Sequence, residues 1–217
     1  MNNHFIDIKV LIWDFDGTLY KRNDSLWREI RESEYHVIMN HTGWTRERTI
    51  AEFTPLYARL HSGTTTAAKL SGIATYEAAK EGESYIQRSK YIRGNDVRLV
   101  QLFARLQSYT HFMLVNGVKT KTEVGLSHLG INPGIFKEIV TSEIVAENKP
   151  SEAGFRYIMG KTGLPPSAHM MIGDREDVDL APAKKLGIKT CLVWADKASQ
   201  VADTTLPSVY DVVQILL

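Results

Sequence analysis

Two acidic residues, Asp14 and Asp16, stand directly after the short apolar run 9–13, in the segment 14–20 with the sequence DFDGTLY. Residues two apart in an extended chain point to the same side, so both carboxylates would face one cleft. Gly17 lets the chain turn away sharply behind them. Because a strand followed by an ordinary Asp-Gly turn contains the same residues, this motif alone is compatible with a functional site or with a turn.

A second acidic segment, 173–179 with the sequence GDREDVD, follows another apolar stretch and precedes a helical pattern. Acidic residues in the first turn of a helix complement its dipole, which accounts for Glu176 and Asp177. Asp174 needs another explanation, because one more carboxylate at a strand end adds repulsion unless a cation is present. With Asp179 and the first acidic pair, Asp174 predicts an oxygen-rich site suited to Mg²⁺.

Lys149, before Pro150, and the pair Asn116-Gly117 add groups that can bind an anion. The Lys149 ammonium could neutralise the carboxylates and hold a phosphoryl group. The Asn116 amide and the backbone amides around Gly117 could bind a phosphate oxygen. A solvated lysine at a helix entry and an ordinary turn explain these residues equally well when each is considered alone.

The elements that must position these residues alternate along the chain. Strands are predicted at 9–13, 112–115, 138–141, 170–172 and 190–194, and helices at 97–106, 119–129, 152–161 and 177–186. This alternation predicts βαβ units and a parallel sheet covered on both faces. In such a sheet the functional cleft lies at the carboxyl ends of the strands, which is where the motifs fall.

The stretch between Tyr20 and Arg93 contains no predicted strand. Helices are predicted there at 24–43, 54–63 and 75–91. For the second of these, Thr54-Pro55 is interpreted as an N-cap followed by proline at the first helical position, and Gly63 as the stop.

Composition excludes several classes of function. The 217 residues contain 26 Lys and Arg against 25 Asp and Glu, and the formal net charge is +1. This balance gives no general attraction to nucleic acid or to a membrane surface, so neither is expected as a partner. The longest apolar run, 191–195, is far shorter than a membrane span, and the amino-terminal residues do not match a signal peptide. With a single cysteine, which fits a reducing compartment, we expect a cytoplasmic protein.

In their order and spacing, the motifs resemble those of the haloacid dehalogenase (HAD) superfamily of aspartate-nucleophile hydrolases. Segment 14–20 resembles its first motif, and 115–117 (VNG) stands at the place of the second. Lys149-Pro150 is similar to the third motif, and Gly173-Asp174 with Asp179 to the fourth. The resemblance covers essentially the whole chain. It implies a Rossmann-like parallel-sheet core formed by 1–20 and 94–217, with a small all-helical cap domain at 21–93.

The resemblance also implies a mechanism. Asp14 would attack phosphorus and form an aspartyl-phosphate, while Asp16 would act as general acid and base. Lys149 would neutralise charge and contact the phosphoryl group. Mg²⁺ would be held by Asp14, the backbone carbonyl of Asp16, and Asp174.

Three further residues receive roles by resemblance. Asn116 and Gly117 would bind the substrate phosphate. Asp179 would support the site by orienting Lys149 or a metal-bound water. The helical cap would close over the site, exclude bulk water and select substrates.

One residue departs from the family pattern. The family normally has Ser or Thr immediately before Asn116, whereas this chain has Val115 and so lacks a hydroxyl donor for the phosphoryl group. Asp16 favours phosphoryl transfer over dehalogenation, because dehalogenases of the superfamily lack this second acidic residue.

The leading hypothesis is a Mg²⁺-dependent phosphatase that acts on a small phosphorylated metabolite, as a monomer or a small homo-oligomer. A phosphomutase on the same core is one alternative. A catalytically weak binding protein, suggested by Val115, is another. In the cap, substrate contact and ordinary packing or surface charge explain four large residues equally well, namely Trp27, Arg28, Trp44 and Arg46.

Overall fold

A six-stranded parallel sheet in the order β3-β2-β1-β4-β5-β6 forms the centre of the computed structural model, which describes residues 5–217. The strands are β1 (Val10–Trp13), β2 (Thr110–Leu114), β3 (Phe136–Val140), β4 (His169–Gly173), β5 (Lys189–Val193) and β6 (Thr204–Leu206). Every neighbouring pair is parallel, which confirms the predicted α/β class. The strand β6 was not predicted. Residues 1–4, which belong to the predicted core segment 1–20, lie outside the described residues.

Four helices lie between β1 and β2, namely α1 (Asp24–Thr42), α2 (Arg46–Leu60), α3 (Gly63–Ser71) and α4 (Thr75–Ser84). The first begins after Asn23, whose side chain accepts two backbone amide hydrogen bonds, and ends at Gly43 in the left-handed conformation. The helices pack around an apolar cluster of their own that includes Tyr35 and Phe53. Segment 20–93, all of it described, contains no strand, as predicted. Its division from the core at 21 and 93 stays a prediction.

The predicted helix start at Thr54-Pro55 is wrong, because both residues lie inside α2. The N-cap is Thr45, whose hydroxyl accepts a backbone amide hydrogen bond at 3.3 Å. Proline removes the amide that would bond to the Ala51 carbonyl, but Ala51 is exposed, so water can replace that partner. Phe53 is buried in the helical cluster, and this packing holds the helix together across the proline.

Two other predicted helix ends in this segment are also wrong. Gly63 begins α3 instead of ending a helix, because Ser62 before it is the N-cap. The glycine is needed for another reason, since the Glu34 carboxylate occupies the space where a Cβ at position 63 would stand. The helix that begins at Thr75 ends at Ser84 and does not reach Tyr91. After it, the 3₁₀ turn Arg88–Lys90 returns the chain toward the sheet.

The remaining helices connect or follow the later strands. They are α5 (Val97–Arg105), α6 (Lys119–His128), α7 (Ser142–Val145), α8 (Ala153–Thr162), α9 (Ala181–Lys185) and α10 (Val212–Leu216). The helix predicted at 177–186 begins one residue earlier as a wider π-helical turn, Glu176–Leu180, and then continues as α9. Within residues 5–217, no helix combines the length and the apolar character that crossing a membrane requires.

Both faces of the sheet are buried, which explains why β1 is apolar throughout. Leu11 and Trp13 belong to one apolar cluster, and Val10 and Ile12 belong to another on the opposite face. This is the two-residue alternation of a strand covered on both sides. The polar residues that follow the strands are therefore confined to the sheet edge.

Candidate functional site

The carboxyl ends of β1, β2 and β4 lie side by side, because β1 pairs with both of the other strands. Asp14 follows β1, Asn116 stands two residues beyond β2, and Asp174 follows β4. One carboxylate oxygen from each of Asp14, Asp174 and Asp179 lies within 4.8 Å of the other two. The fold thus brings together acidic residues from separate motifs at one sheet edge.

Asp14 is almost completely buried, with 5% of its surface exposed. Its Oδ1 accepts a hydrogen bond from Lys149 Nζ at 2.7 Å, and its Oδ2 accepts one from the Thr18 hydroxyl at 2.8 Å. Burial raises the pKa of Asp14 above its ordinary value, and the Lys149 charge offsets only part of that rise. Both carboxylate oxygens are therefore held in fixed positions.

Lys149 is buried between two carboxylates. Its Nζ lies 2.7 Å from Asp14 Oδ1 and 2.7 Å from Asp179 Oδ1. Burial alone would lower the pKa of the Lys149 ammonium, but the two carboxylates raise it above its ordinary value. The lysine thus stays charged at neutral pH and connects the β1 motif to the β4 motif.

Asn116 uses its side chain to hold the backbone of Lys149. Its Nδ2 donates to the Lys149 carbonyl at 2.7 Å, and its Oδ1 accepts from the Lys149 amide at 2.8 Å. Gly117 follows in the loop after β2 and lies close to the Glu83 carboxylate of α4. This geometry gives Asn116 a positioning role for Lys149, and its predicted contact with substrate stays a prediction.

Asp16 is half-buried and lies in an ion pair that the sequence did not predict. Arg88 Nε donates to its Oδ1 at 3.0 Å and Arg88 Nη2 donates to its Oδ2 at 2.8 Å, while the Tyr20 hydroxyl also donates to Oδ1. The same guanidinium pairs with buried Glu83. Burial would raise the pKa of Asp16, but the Arg88 charge and these hydrogen bonds hold it below its ordinary value.

Asp174 approaches the chain at Gly17, where a Cβ would stand only 2.4 Å from its Oδ2. Gly17 also has a φ of 90°, a conformation that favours glycine. Burial, together with repulsion from Asp14 and Asp179, raises the pKa of Asp174 to about 8. Asp174 therefore keeps its proton near neutral pH when no cation is present, and only when it is ionised do the three carboxylates carry more negative charge than Lys149 neutralises.

Oxygen ligands and excess negative charge fit a divalent cation such as Mg²⁺. Asp179 is already engaged, because its Oδ1 accepts from Lys149 and its Oδ2 from the Arg175 backbone amide at 3.1 Å. Both Asp14 oxygens also accept hydrogen bonds, from Lys149 and Thr18, so Asp174 is the least engaged of the three carboxylates and the predicted metal contact of Asp14 stays a prediction. The predicted contribution of the Asp16 carbonyl stays a prediction.

A cavity of about 130 Å³ separates this cluster from helices α1–α4. From the sheet edge it is lined by Asp14, Asp16, Val115, Asn116, Gly117 and Arg175. From the helical side its lining includes Trp27, Arg31, Glu34, Tyr57, Glu83 and Arg88. Of the four large cap residues that could contact substrate, Trp27 lines the cavity. The other three are accounted for elsewhere: Arg28 bonds Ser25, Arg46 pairs with Glu32, and Trp44 stacks with Arg48.

Sequence reasoning missed several residues of the site. Thr18 and Tyr20 stand in the first motif, four positions after Asp14 and Asp16, and hydrogen-bond spacing in the tight turn could have indicated them. Arg175, next to Asp174, could have been noted as a cation beside acids. The role of Arg88 could not be predicted from the sequence, because its contact with Asp16 joins residues 72 positions apart.

Three comparisons with known proteins bear on this site. A family model described as haloacid dehalogenase-like hydrolase matches residues 8–187. A glyceraldehyde 3-phosphate phosphatase of Methanocaldococcus jannaschii is 31% identical over 109 residues, which are 48% of this chain and 47% of that relative. The chain thus matches about half the length of this curated relative.

Solved structures agree with the fold. A HAD phosphatase from Thermococcus onnurineus superposes with a TM-score of 0.64 at 18% identity, over 96% of this chain and 97% of the other. A predicted phosphoglycolate phosphatase from Haemophilus somnus 129pt superposes with a TM-score of 0.63 at 17% identity, over 96% and 98% of the two chains. At such low identity these structures show a common fold and no more.

Proposed function

The chain belongs to the haloacid dehalogenase-like hydrolases, and on that premise we propose that it is a Mg²⁺-dependent phosphatase that hydrolyses a small phosphomonoester. One observation carries the proposal. The Asp14 carboxylate is buried beside the Lys149 ammonium, at 2.7 Å, and both Asp14 and Asp16 line the same cavity. A carboxylate held next to a cation, with a second carboxylate nearby, suits nucleophilic attack on phosphorus.

The first step transfers the phosphoryl group to the protein. An Asp14 carboxylate oxygen forms a bond to phosphorus while the ester P–O bond breaks. Asp16 gives a proton to the leaving oxygen, so the alcohol departs neutral. The Arg88 ion pair favours the ionised form of Asp16, so this pair must open before Asp16 can carry that proton. The product on the protein is an aspartyl-phosphate at Asp14.

The second step restores the free carboxylate. Asp16, now ionised, takes a proton from water as the water oxygen attacks phosphorus. The bond between phosphorus and the Asp14 oxygen breaks, and inorganic phosphate leaves. Asp16 is thus an acid in one step and a base in the next, and it ends in its starting state.

Charge is the main obstacle to the first step. Two like unit charges about 4 Å apart repel by roughly 4 kcal/mol at an effective dielectric constant of about 20. Lys149 reduces this repulsion, and Asp179 and Asn116 keep it in position through its ammonium and its backbone. When bound by Asp14, Asp174 and the Asp16 carbonyl, Mg²⁺ would supply further positive charge beside the phosphate oxygens.

Asp16 is the reason for proposing a phosphatase over a dehalogenase. The superfamily's dehalogenases lack this acid, and an alkoxide leaving group needs a proton whereas a halide does not. The relative's name makes glyceraldehyde 3-phosphate the first compound to assay.

The test is phosphate release from a panel of small phosphomonoesters, with Mg²⁺ or with chelator. We expect metal-dependent release by the wild type and release at background by Asp14→Asn. The control Asp7→Asn changes an exposed residue and should retain full activity. Activity that survives in Asp14→Asn would contradict the assignment of the nucleophile.

Two other outcomes identify the alternatives. Turnover that requires a bisphosphate primer and releases no net phosphate would favour a phosphomutase. Ligand binding by a folded, metal-loaded protein without any turnover would favour a binding protein.

A further inference from the structure

Glu34 of α1 is a buried carboxylate in the cavity wall that the proposed reaction does not use. It is 8% exposed, and among residues 5–217 its Oε2 receives no hydrogen bond. The nearest cationic atom is Arg31 Nη1, 3.1 Å away, which is itself buried without a hydrogen bond. The two atoms form an ion pair with each other but make no hydrogen bond within the described residues, so a ligand that bonds to them uses donor and acceptor capacity that the protein leaves unfilled.

The surrounding fold makes room for this carboxylate. A Cβ at Gly63, the first residue of α3, would stand 1.8 Å from Glu34 Oε1. Any larger residue at position 63 would push the carboxylate out of place. Arg31 is fixed as well, because its guanidinium lies 4.4 Å from the Phe53 ring centre and 4.0 Å from that of Tyr57.

Arg175 relates this pair to the nucleophile. Its guanidinium is close enough to interact electrostatically with both Asp14 and Glu34, and its Nε is a third buried donor without a partner in the described part of the chain. Asp14, Arg31 and Glu34 line one cavity, so a phosphomonoester with its phosphorus at Asp14 can extend its alcohol part toward Glu34 and Arg31.

The size of the cavity limits that alcohol part. Its volume of about 130 Å³, at about 10–15 Å³ for each water-sized group, accommodates roughly ten non-hydrogen atoms. A phosphate group and a chain of three or four carbons with their oxygens reach this number. Larger sugars and nucleotides would extend beyond it.

This inference rests on the proposed phosphatase function and specifies its substrate class. We propose that Glu34 and Arg31 select phosphomonoesters of three- or four-carbon polyols and hydroxyaldehydes. A free hydroxyl of the substrate donates to Glu34 Oε2, and a neighbouring oxygen accepts from Arg31 Nη1. An ester that lacks these oxygens leaves the two buried groups desolvated with only their own ion pair, and is disfavoured for that reason.

The test compares two esters of equal chain length, glycerol 3-phosphate and propyl phosphate. At pH 8, above the Glu34 pKa of about 7, we expect kcat/KM of the wild type to favour glycerol 3-phosphate by about tenfold or more, because a hydrogen bond to a buried charged group discriminates at that level. In Glu34→Ala the ratio should fall toward one. Glu34→Gln, which keeps the shape and loses the charge, should give a ratio between the two and serves if the alanine variant does not fold.

The matched control is Glu32→Ala, on the same helix. Glu32 points outward and pairs with Arg46, so its removal should leave the substrate ratio of the wild type unchanged. A wild-type ratio near one, or a high ratio that survives both Glu34 variants, would overturn the selection role while ester hydrolysis itself still supported the phosphatase function.

If no ester is hydrolysed, the proposed function fails and binding decides the inference. The same two esters would then be titrated into the wild type and the Glu34 variants by calorimetry. Tighter binding of glycerol 3-phosphate that depends on Glu34 supports selection by Glu34 and Arg31, and equal binding of both esters overturns it.

Discussion

Arg88 holds Asp16 through two parallel hydrogen bonds, of 3.0 and 2.8 Å, although 72 positions separate them along the chain. The same guanidinium pairs with Glu83 at the end of α4. A residue that follows the helical segment therefore controls the charge of the proposed acid and base beside β1. Protonation of Asp16 depends on how the helices sit over the sheet edge.

Replacing Arg88 with glutamine should raise the pKa of Asp16. Removal of a guanidinium favours the neutral carboxyl, and we expect the apparent pKa in the pH–rate profile to move up by roughly one pH unit or more. The apparent pKa moves up whether the acid step or the base step limits the rate. Arg28→Gln, at an exposed position, is the control and should leave the profile unchanged. A profile that does not move in Arg88→Gln would show that Asp16 is not the titrating group.

Val115→Thr should increase kcat by roughly fivefold, the value of one neutral hydrogen bond. Val115 lines the cavity beside Asn116 and is 5% exposed, so threonine restores a donor without changing the volume. Val10→Thr, buried at the other end of the sheet, controls for the general cost of a buried hydroxyl. Equal kcat values for wild type and Val115→Thr would mean that other donors already fill this role.

Lys149→Met should destabilise the metal-free protein by about 3–5 kcal/mol, because it leaves Asp14 and Asp179 buried and unpaired. Urea unfolding in chelator would measure the change. Adding Asp179→Asn to this variant should recover part of the loss, and simple additivity of the two changes would contradict the coupling. Lys185→Met breaks a surface pair with Glu152 and should leave the stability nearly unchanged.

Gly17→Ala should abolish phosphate release and weaken Mg²⁺ binding. The new Cβ would displace the Asp174 carboxylate, and alanine also disfavours the φ of 90°. The control is Gly160→Ala, within α8, where nothing lies within 4 Å of the added atom. There we expect a gain of about 0.5–1 kcal/mol in stability and unchanged activity. Thermal unfolding at increasing Mg²⁺ concentration would measure the stability and the metal affinity of each variant. A wild-type metal affinity in Gly17→Ala would contradict the close approach of Asp174.

Glu34→Gln should stabilise the protein at neutral pH and not at acidic pH. Burial raises the pKa of Glu34 from 4.5 to about 7, although Arg31 and Arg175 oppose the rise. As pH increases from 4.5 to 7, the unfolded chain releases this proton while the folded chain keeps it, so the wild type loses up to about 3 kcal/mol of stability. Unfolding of both proteins at pH 4.5 and pH 8 tests this, with Glu32→Gln as a control that should show no pH-dependent difference.

The strand-end residues could be predicted from the sequence because their positions follow from local rules. Asp14 and Asp174 each end an apolar run, and parallel strands necessarily present such residues at one edge. The placement of Lys149 between Asp14 and Asp179 needed the family resemblance, since nothing near position 149 distinguishes it from a solvated lysine.

The helical side could not be predicted in the same way. The start of α2 was misplaced because Pro55 is a good first helical residue, and packing of Phe53 overrides that local preference. The roles of Arg88 and Glu34 depend on how helices pack against each other and on the sheet. A single sequence contains helix periodicity, but it does not contain the angles between helices that bring these side chains into a common cavity.

The position of β1 in the middle of the sheet also affects how the chain folds. Its register places Val10 beside Thr110 on one side and beside His169 on the other, so the strand gains either neighbour only after a long loop has closed. Helices α1–α4 contact one another within that loop and can form from nearby residues. Their early formation would shorten the flexible chain between β1 and β2 and reduce the entropic cost of closing that loop. The same helices that wall the cavity would then help the central strand find its partners.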